Sequence, residues 1–242
     1  MKKYVNLFVF VFMIGACLSQ GRAQTKSAVS YKNPVVDIAM PDPTVIKAAD
    51  GYFYVYATES TRNVPIMKSK DLVEWTYCNT AFTNKTRPRF EPKAGIWAPD
   101  INYINGKYVL YYAMSVWGGE QTCGIGVATA NSPQGPFTDH GKMFRSNEIG
   151  VQNSIDPSLL QYEGRNYLVW GSFRGIYVIE LTADGLSIMP GAKKKRIAGT
   201  AFEAVYIHKH DDYYYMFASI GSCCQGVKST YKVVVGRSKK VW

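Results

Sequence analysis

One pattern recurs four times along these 242 residues, and it restricts the fold more than any other feature of the chain. "PDPTVIKAADGYFYVYAT" from Pro41, "PDINYINGKYVLYYAM" from Pro99, "IDPSLLQYEGRNYLVWGS" from Ile155 and "FEAVYIHKHDDYYYMFAS" from Phe202 align with one another. Each carries a carboxylate at its head, Asp42, Asp100, Asp156 and Glu203, and these acids are spaced by 58, 56 and 47 residues. A short alternating strand follows, then a turn containing Gly or Asp, then an aromatic strand that ends in small residues. A third strand completes each unit: "VPIMKSKDLVEW", "GIGVATANSPQGPF", "GIYVIELTADGL" and "KVVVGRSKKVW".

Three or four short strands at this period are the signature of a β-propeller blade. No long segment has helical periodicity, which excludes a TIM barrel. Stacked immunoglobulin-like domains would match the strand count but not the carboxylate at the head of every repeat. The innermost strands of a propeller converge on one axis, so the four acids are expected to ring one mouth of the channel. Crowded carboxylates raise one another's pKa, a cost that proteins sustain at functional sites.

The N-terminus has the layout of an export signal, with Lys2 and Lys3, the apolar run "VNLFVFVFMIGA" and then small residues. The run is too short for a permanent membrane-spanning helix. Cleavage after Ala23 fits the small Gly21 and Ala23, giving a signal peptide over residues 1–23. Cleavage before Cys17 fits "IGAC", and acylation of Cys17 would then anchor the chain by lipid. Either cut delivers the protein to the periplasm or surface of a bacterium. Residues 24–40 follow as an N-terminal segment and 41–242 as the propeller, expected to be monomeric. The net charge of +10 falls to 10 − 3 = +7 without Lys2, Lys3 and Arg22. "KKKR" (Lys193 to Arg196) reads as a solvated loop, and no recognition motif accompanies it to suggest nucleic acid.

Of the five Cys, Cys17 belongs to the signal, and Cys78, Cys123, Cys223 and Cys224 have no zinc-like spacing. Adjacent Cys223 and Cys224 have Cα atoms about 3.8 Å apart, below the usual disulfide span. That spacing favours a tight loop with unbridged thiols over a vicinal disulfide.

A strand-start Asp by itself is more often a turn former than a catalyst, Asp-Pro especially. Asp42, Asp156 and Glu203 as a set, beside aromatic strands of an exported chain, suit sugar cleavage. That chemistry needs one carboxyl protonated for the leaving group and another ionised to activate water, with a third tuning its neighbours. The motifs "PDPTVI", "GIWAPDINYINGKYVLYYAMS", "NSIDPSLL", "FEAVYI" and "GSCCQGVKSTYKVVVGRS" resemble glycoside hydrolase family 43, and within it the endo-α-1,5-L-arabinanases. The resemblance implies a five-bladed propeller. It implies Asp42 as general base, Glu203 as general acid and Asp156 as pKa modulator in an inverting hydrolysis of arabinan. The base–acid gap is then expected at roughly 6.5–9.5 Å. Asp100 is a structural acid in this scheme. Trp97 and Trp117 are candidate sugar-stacking platforms, and Asn153 and Ser172 candidate partners for sugar hydroxyls.

The sequence also departs from the pattern. Val205 stands where the family commonly has Gly or Pro, and Pro41 precedes the base where arabinanases often carry His. Four repeats are present rather than five, so the expectation is a propeller of about four blades, truncated at its C-terminus. The axial His associated with a structural calcium is expected beyond Trp242; His140, His208 and His210 read as exposed loop residues. An exo-α-L-arabinofuranosidase or β-xylosidase of the same family, and a non-catalytic carbohydrate-binding propeller, remain alternatives.

Overall fold

Each repeat folds into one antiparallel sheet in the computed structural model, which describes residues 30–242. The expected signal peptide and Cys17 lie outside the described residues. The first blade contains β1 (Thr44–Lys47), β2 (Phe53–Tyr56), β3 (Pro65–Ser69) and β4 (Thr76–Thr80). The second contains β5 (Gly95–Ile104), β6 (Lys107–Ser115), β7 (Gly124–Ala130) and β8 (Thr138–Arg145), and a single helical turn, α1 (Ser146–Ile149), leads out of it. The third contains β9 (Ser158–Tyr162), β10 (Arg165–Trp170), β11 (Ile176–Glu180) and β12 (Lys195–Ala198). The fourth contains β13 (Glu203–His210), β14 (Tyr213–Ile220) and β15 (Lys232–Ser238). Strands pair in sequence order within every blade, and the first strands meet across blades, β1 with β5, β5 with β9 and β9 with β13. This is the propeller arrangement expected from the repeat.

Alternation along single strands explains the packing. In β6, Leu110, Tyr112 and Met114 face the first blade, while Val109 and Tyr111 face the third. Both faces are buried, so the strand reads as the nearly continuous apolar run "YVLYYAM". Burying each large side chain is worth about 1.5–3 kcal/mol, and Tyr54, Tyr56, Tyr111, Tyr112 and Trp170 are all fully enclosed. Tight hairpins come from turn chemistry. Asn105–Gly106 and Glu163–Gly164 have positive φ at both residues, as a two-residue type I′ turn demands.

The heads of the inner strands share a bulge. Asp100 pairs with Tyr111 but Trp97 with Ala113, and Tyr206 with Phe217 but Glu203 with Ser219, three residues against two each time. In the same way Thr44 pairs with Tyr56 while Thr58 N donates to Pro41 O. Ser158 pairs with Val169 while Gly171 N donates to Ile155 O. Each bulge holds a non-glycine residue in the left-handed region: Asp42 (φ 50°), Ala98 (41°), Asp156 (57°) and Ala204 (50°).

This geometry corrects the alignment of the four acids. Asp42 and Asp156 are equivalent; Asp100 lies two residues past the equivalent Ala98, and Glu203 one residue before the equivalent Ala204. The ring of four matched carboxylates does not form, because the bulge swings neighbouring side chains to different directions. Two smaller corrections follow from strand ends. Lys195 and Arg196 begin the edge strand β12 instead of a loop, where exposed charge deters pairing with another chain. His208 and His210 are exposed as expected but belong to β13, not to its turn.

Candidate active site

A cavity of about 600 Å³ opens where the inner strands begin, lined among others by Asp42, Asp100, Asp156, Tyr206, Ser219 and Tyr231. A larger one of about 690 Å³, between residues 33–43 and the first blade, has no titratable side chain in its wall. The titratable side chains belong to the first.

Asp42 is exposed and takes a short hydrogen bond from the Thr58 hydroxyl at 2.5 Å. Thr58 is itself fixed by Ala98 N, which donates to its oxygen at 2.7 Å. The residue in the Asp42-equivalent place of the second blade thus orients Asp42 through one hydroxyl. Asp156 keeps some accessible area, but its carboxyl is enclosed. Burial, then the negative charges of Glu203 and Asp42, hold its proton well above the usual carboxylate range, against one backbone hydrogen bond from Ala204. Carboxylates from the first, third and fourth blades therefore feel one another directly.

Glu203 is buried, and the Ser172 hydroxyl donates to its Oε2 at 2.7 Å. Ser172 and Glu203 also form a backbone bridge between the third and fourth blades. The Ser172 hydroxyl, itself buried, is committed to Glu203. Asn153 (φ 55°) donates from Nδ2 to Ser172 O at 3.1 Å, so it positions Ser172. Tyr231, which the sequence argument passed over, brings its phenol within hydrogen-bonding reach of Glu203 and Ser219; burial and then Glu203 raise its pKa. Its signal was its place directly after the double-cysteine loop. Gly221 allows that loop to close, since a Cβ there would strike Thr230 O at 2.6 Å and its φ is 90°. Ser222 and Thr230 complete the closure with a backbone hydrogen bond of 3.0 Å. Cys223 and Cys224 are bridged, against the expectation of free thiols. The left-handed φ of Cys224 (66°) brings neighbouring side chains to one side, which spacing alone could not reveal.

Asp100 is a different kind of acid. Its carboxylate accepts from Leu159 N at 2.8 Å, Asn102 Nδ2 at 2.7 Å and Thr44 Oγ1 at 3.4 Å, tying three blades together. Burial outweighs these donors and raises its pKa to about 6. Trp97 and Trp117 come together at the rim with ring centroids 5.4 Å apart, Trp97 backed by Ala113, Cys123 and Ile155 and Trp117 largely exposed. Val205 is packed in the core, and its carbonyl accepts from Ser158 at 2.6 Å.

Among the described residues, no three His, Cys, Asp or Glu side chains converge as a metal ion would require. His140 is exposed and pairs with the Thr129 hydroxyl at 2.8 Å.

The family model of glycosyl hydrolases family 43 matches residues 31–242. An extracellular endo-α-(1→5)-L-arabinanase from Bacillus subtilis is 37% identical over 214 residues, covering 83% of this chain and 65% of the relative. An extracellular exo-α-(1→5)-L-arabinofuranosidase from Cellvibrio japonicus is 34% identical over 229 residues, covering 83% and 64%. This chain thus spans slightly less than two thirds of the length of these curated relatives. The solved structure of Cellvibrio cellulosa α-L-arabinanase complexed with arabinohexaose superposes with a TM-score of 0.74 at 30% identity, covering 84% of this chain and 72% of that one. With matched blades, matched sequence and three carboxylates at one mouth, this chain belongs to glycosyl hydrolase family 43.

Proposed function

We propose that this protein hydrolyses α-1,5-L-arabinofuranosidic linkages of arabinan with inversion, and that it acts within the chain. The observation that carries this reading is the convergence of three carboxylates: Asp42 and Asp156 line one cavity, and Asp156 is raised by burial and then by the charges of Glu203 and Asp42. Asp42, open to solvent and oriented by Thr58, is the general base that draws a proton from water. Glu203, held by Ser172 with Tyr231 nearby, is the general acid that protonates the departing sugar oxygen. Asp156 beside it binds its proton more tightly than a free carboxyl, which eases the crowding of negative charge in the cluster. The half-buried Trp97 and exposed Trp117, side by side, suit a polymer passing across the mouth.

Two relatives that are extracellular by name, together with the basic and apolar N-terminal residues, support export of this protein. Among the described residues no helix is long and apolar enough to cross a membrane. The Cellvibrio japonicus relative favours a second reading, exo-acting release of arabinose. Linear arabinan incubated with the purified protein separates the two. Endo action lowers viscosity ahead of reducing-sugar release and yields oligomers, while exo action yields monomer. Absence of both products overturns the hydrolase reading in favour of a binding module.

A further inference from the structure

A third cavity of about 380 Å³ lies between the loop that leads into β5 and the loop between β2 and β3. Its size falls within the range of small-ligand sites. Two of the arginines near it are already spoken for. Arg87 grips Glu59 through both guanidinium nitrogens and also donates to Ala94 O at 2.7 Å. Burial alone would raise Glu59, but hydrogen bonds from Arg87, Asn63 and Ile96 hold its carboxyl below the usual range, so the pair is ionised and internally neutral. Arg145 Nη1 sits 3.0 Å from Glu91 Oε2, which balances that charge although the oxygen has no aligned hydrogen bond.

Arg62, Arg89 and Lys93 remain. All three line the cavity, all are exposed, and among the described residues no carboxylate pairs with any of them. Three uncompensated cations around one hollow repel one another unless an anion joins them. Two are also pre-set. Asn84 accepts from Arg62 Nε through its side chain at 3.1 Å and from Arg89 Nη2 through its carbonyl at 2.9 Å, leaving the other guanidinium N–H groups free. Fixing a fork in advance lowers the entropy lost on binding, and a guanidinium fork matches a carboxylate.

The cavity lies near Trp97: Ala94 lines it, and a Cβ at the adjoining Gly95 would overlap the Trp97 indole nitrogen. A saccharide stacked on Trp97 would therefore lie close to the cations. We propose that Arg62, Arg89 and Lys93 form a subsite for the carboxylate of an acidic sugar, a uronate carried by the polysaccharide. That the ligand is a saccharide rests on the function proposed above; the anion site does not.

Binding without turnover tests the two separately. Trigalacturonate titrated calorimetrically into the protein at low ionic strength should bind, and binding should weaken as salt is added. Arg89→Ala and Lys93→Ala together should weaken it at least tenfold, and Lys93→Glu alone should do so with a single exposed change. Neutral arabinotriose should lose no affinity in these variants. Trigalacturonate binding that is absent, or equal in the variants, overturns the subsite. Inorganic phosphate binding as tightly as trigalacturonate reduces it to a bare anion site and overturns the assignment to a sugar. A protein that binds trigalacturonate but leaves arabinan intact would sink the hydrolase reading and keep the subsite.

Discussion

Asp100 at the inner end of the second blade and Asp156 at the inner end of the third occupy motifs that look alike, "APDIN" and "IDPSL". Asp100 has three donors for two oxygens and no acid pressing on it. Asp156 has one backbone donor and two carboxylates for neighbours. A saturated buried acid cross-links backbones and holds blades in register. An enclosed acid short of donors and crowded by like charge is costly to the fold, and that cost is what proton transfer can use. Donor count, not burial or sequence motif, separates the structural acid from the one proposed to work in catalysis.

The largest effect should come from removing the working acids. Asp156→Asn and Glu203→Gln should each lower arabinan turnover by about 10²–10⁴-fold, while Asp100→Asn leaves it within a small factor. A nitrophenyl arabinoside, which needs no protonation to depart, should partly rescue Glu203→Gln and not Asp42→Asn. If Asp100→Asn were as inactive as Asp156→Asn, the comparison would be broken.

Stability should move the opposite way. Folded Asp100 binds its proton up to about pH 6 and the unfolded chain only to about pH 4. The native state therefore binds more protons in that window, and this group's contribution makes stability fall as pH rises through it. The Asn oxygen can still accept from Leu159 N and Asn102 Nδ2 while its amide donates to Thr44 Oγ1, and Asn does not titrate. Asp100→Asn should therefore flatten the dependence between pH 4 and 6 and gain on the order of 1–3 kcal/mol at pH 7. Denaturant melts at pH 4, 5, 6 and 7 check this; a loss at pH 7 contradicts it. Asp156→Asn should likewise melt higher at pH 7 despite losing activity, because a neutral amide avoids the cost that burial and the charges of Glu203 and Asp42 impose on the carboxyl.

A smaller effect sharpens the picture around Glu203. Tyr231→Phe removes the phenol beside Glu203, and kcat on arabinan should fall about tenfold. An unchanged kcat would make Tyr231 a packing residue. The smallest change belongs to the rim. Trp117→Ala, at a side chain 77% exposed, should raise KM for arabinan a few-fold with kcat retained, and equal loss of both would place the ring nearer the reacting bond.

The repeat made the blades legible from sequence, because strand period and turn chemistry are local. "NG" and "EG" fix two hairpins wherever they stand, and a strand buried on both faces must be apolar on both. The three acids assigned to chemistry were legible as a set for the same reason: each heads an inner strand, and inner strands of a propeller converge. Asp100 could be set apart from them by resemblance, but its three donors come from residues 44, 102 and 159, which no spacing joins. Tyr231 meets Glu203 only through a loop closed at Gly221, and the Arg62–Asn84–Arg89 clamp depends on two loops from different turns of the chain. The bulge at each strand head stayed hidden because it adds one residue without changing composition or apolar pattern. Sequence by itself determined which strands pair and which end of each blade carries charge, since these follow from periodicity. Only the tertiary structure decided where each carboxyl points and what donates to it, since a one-residue bulge and partners far away in the chain set both.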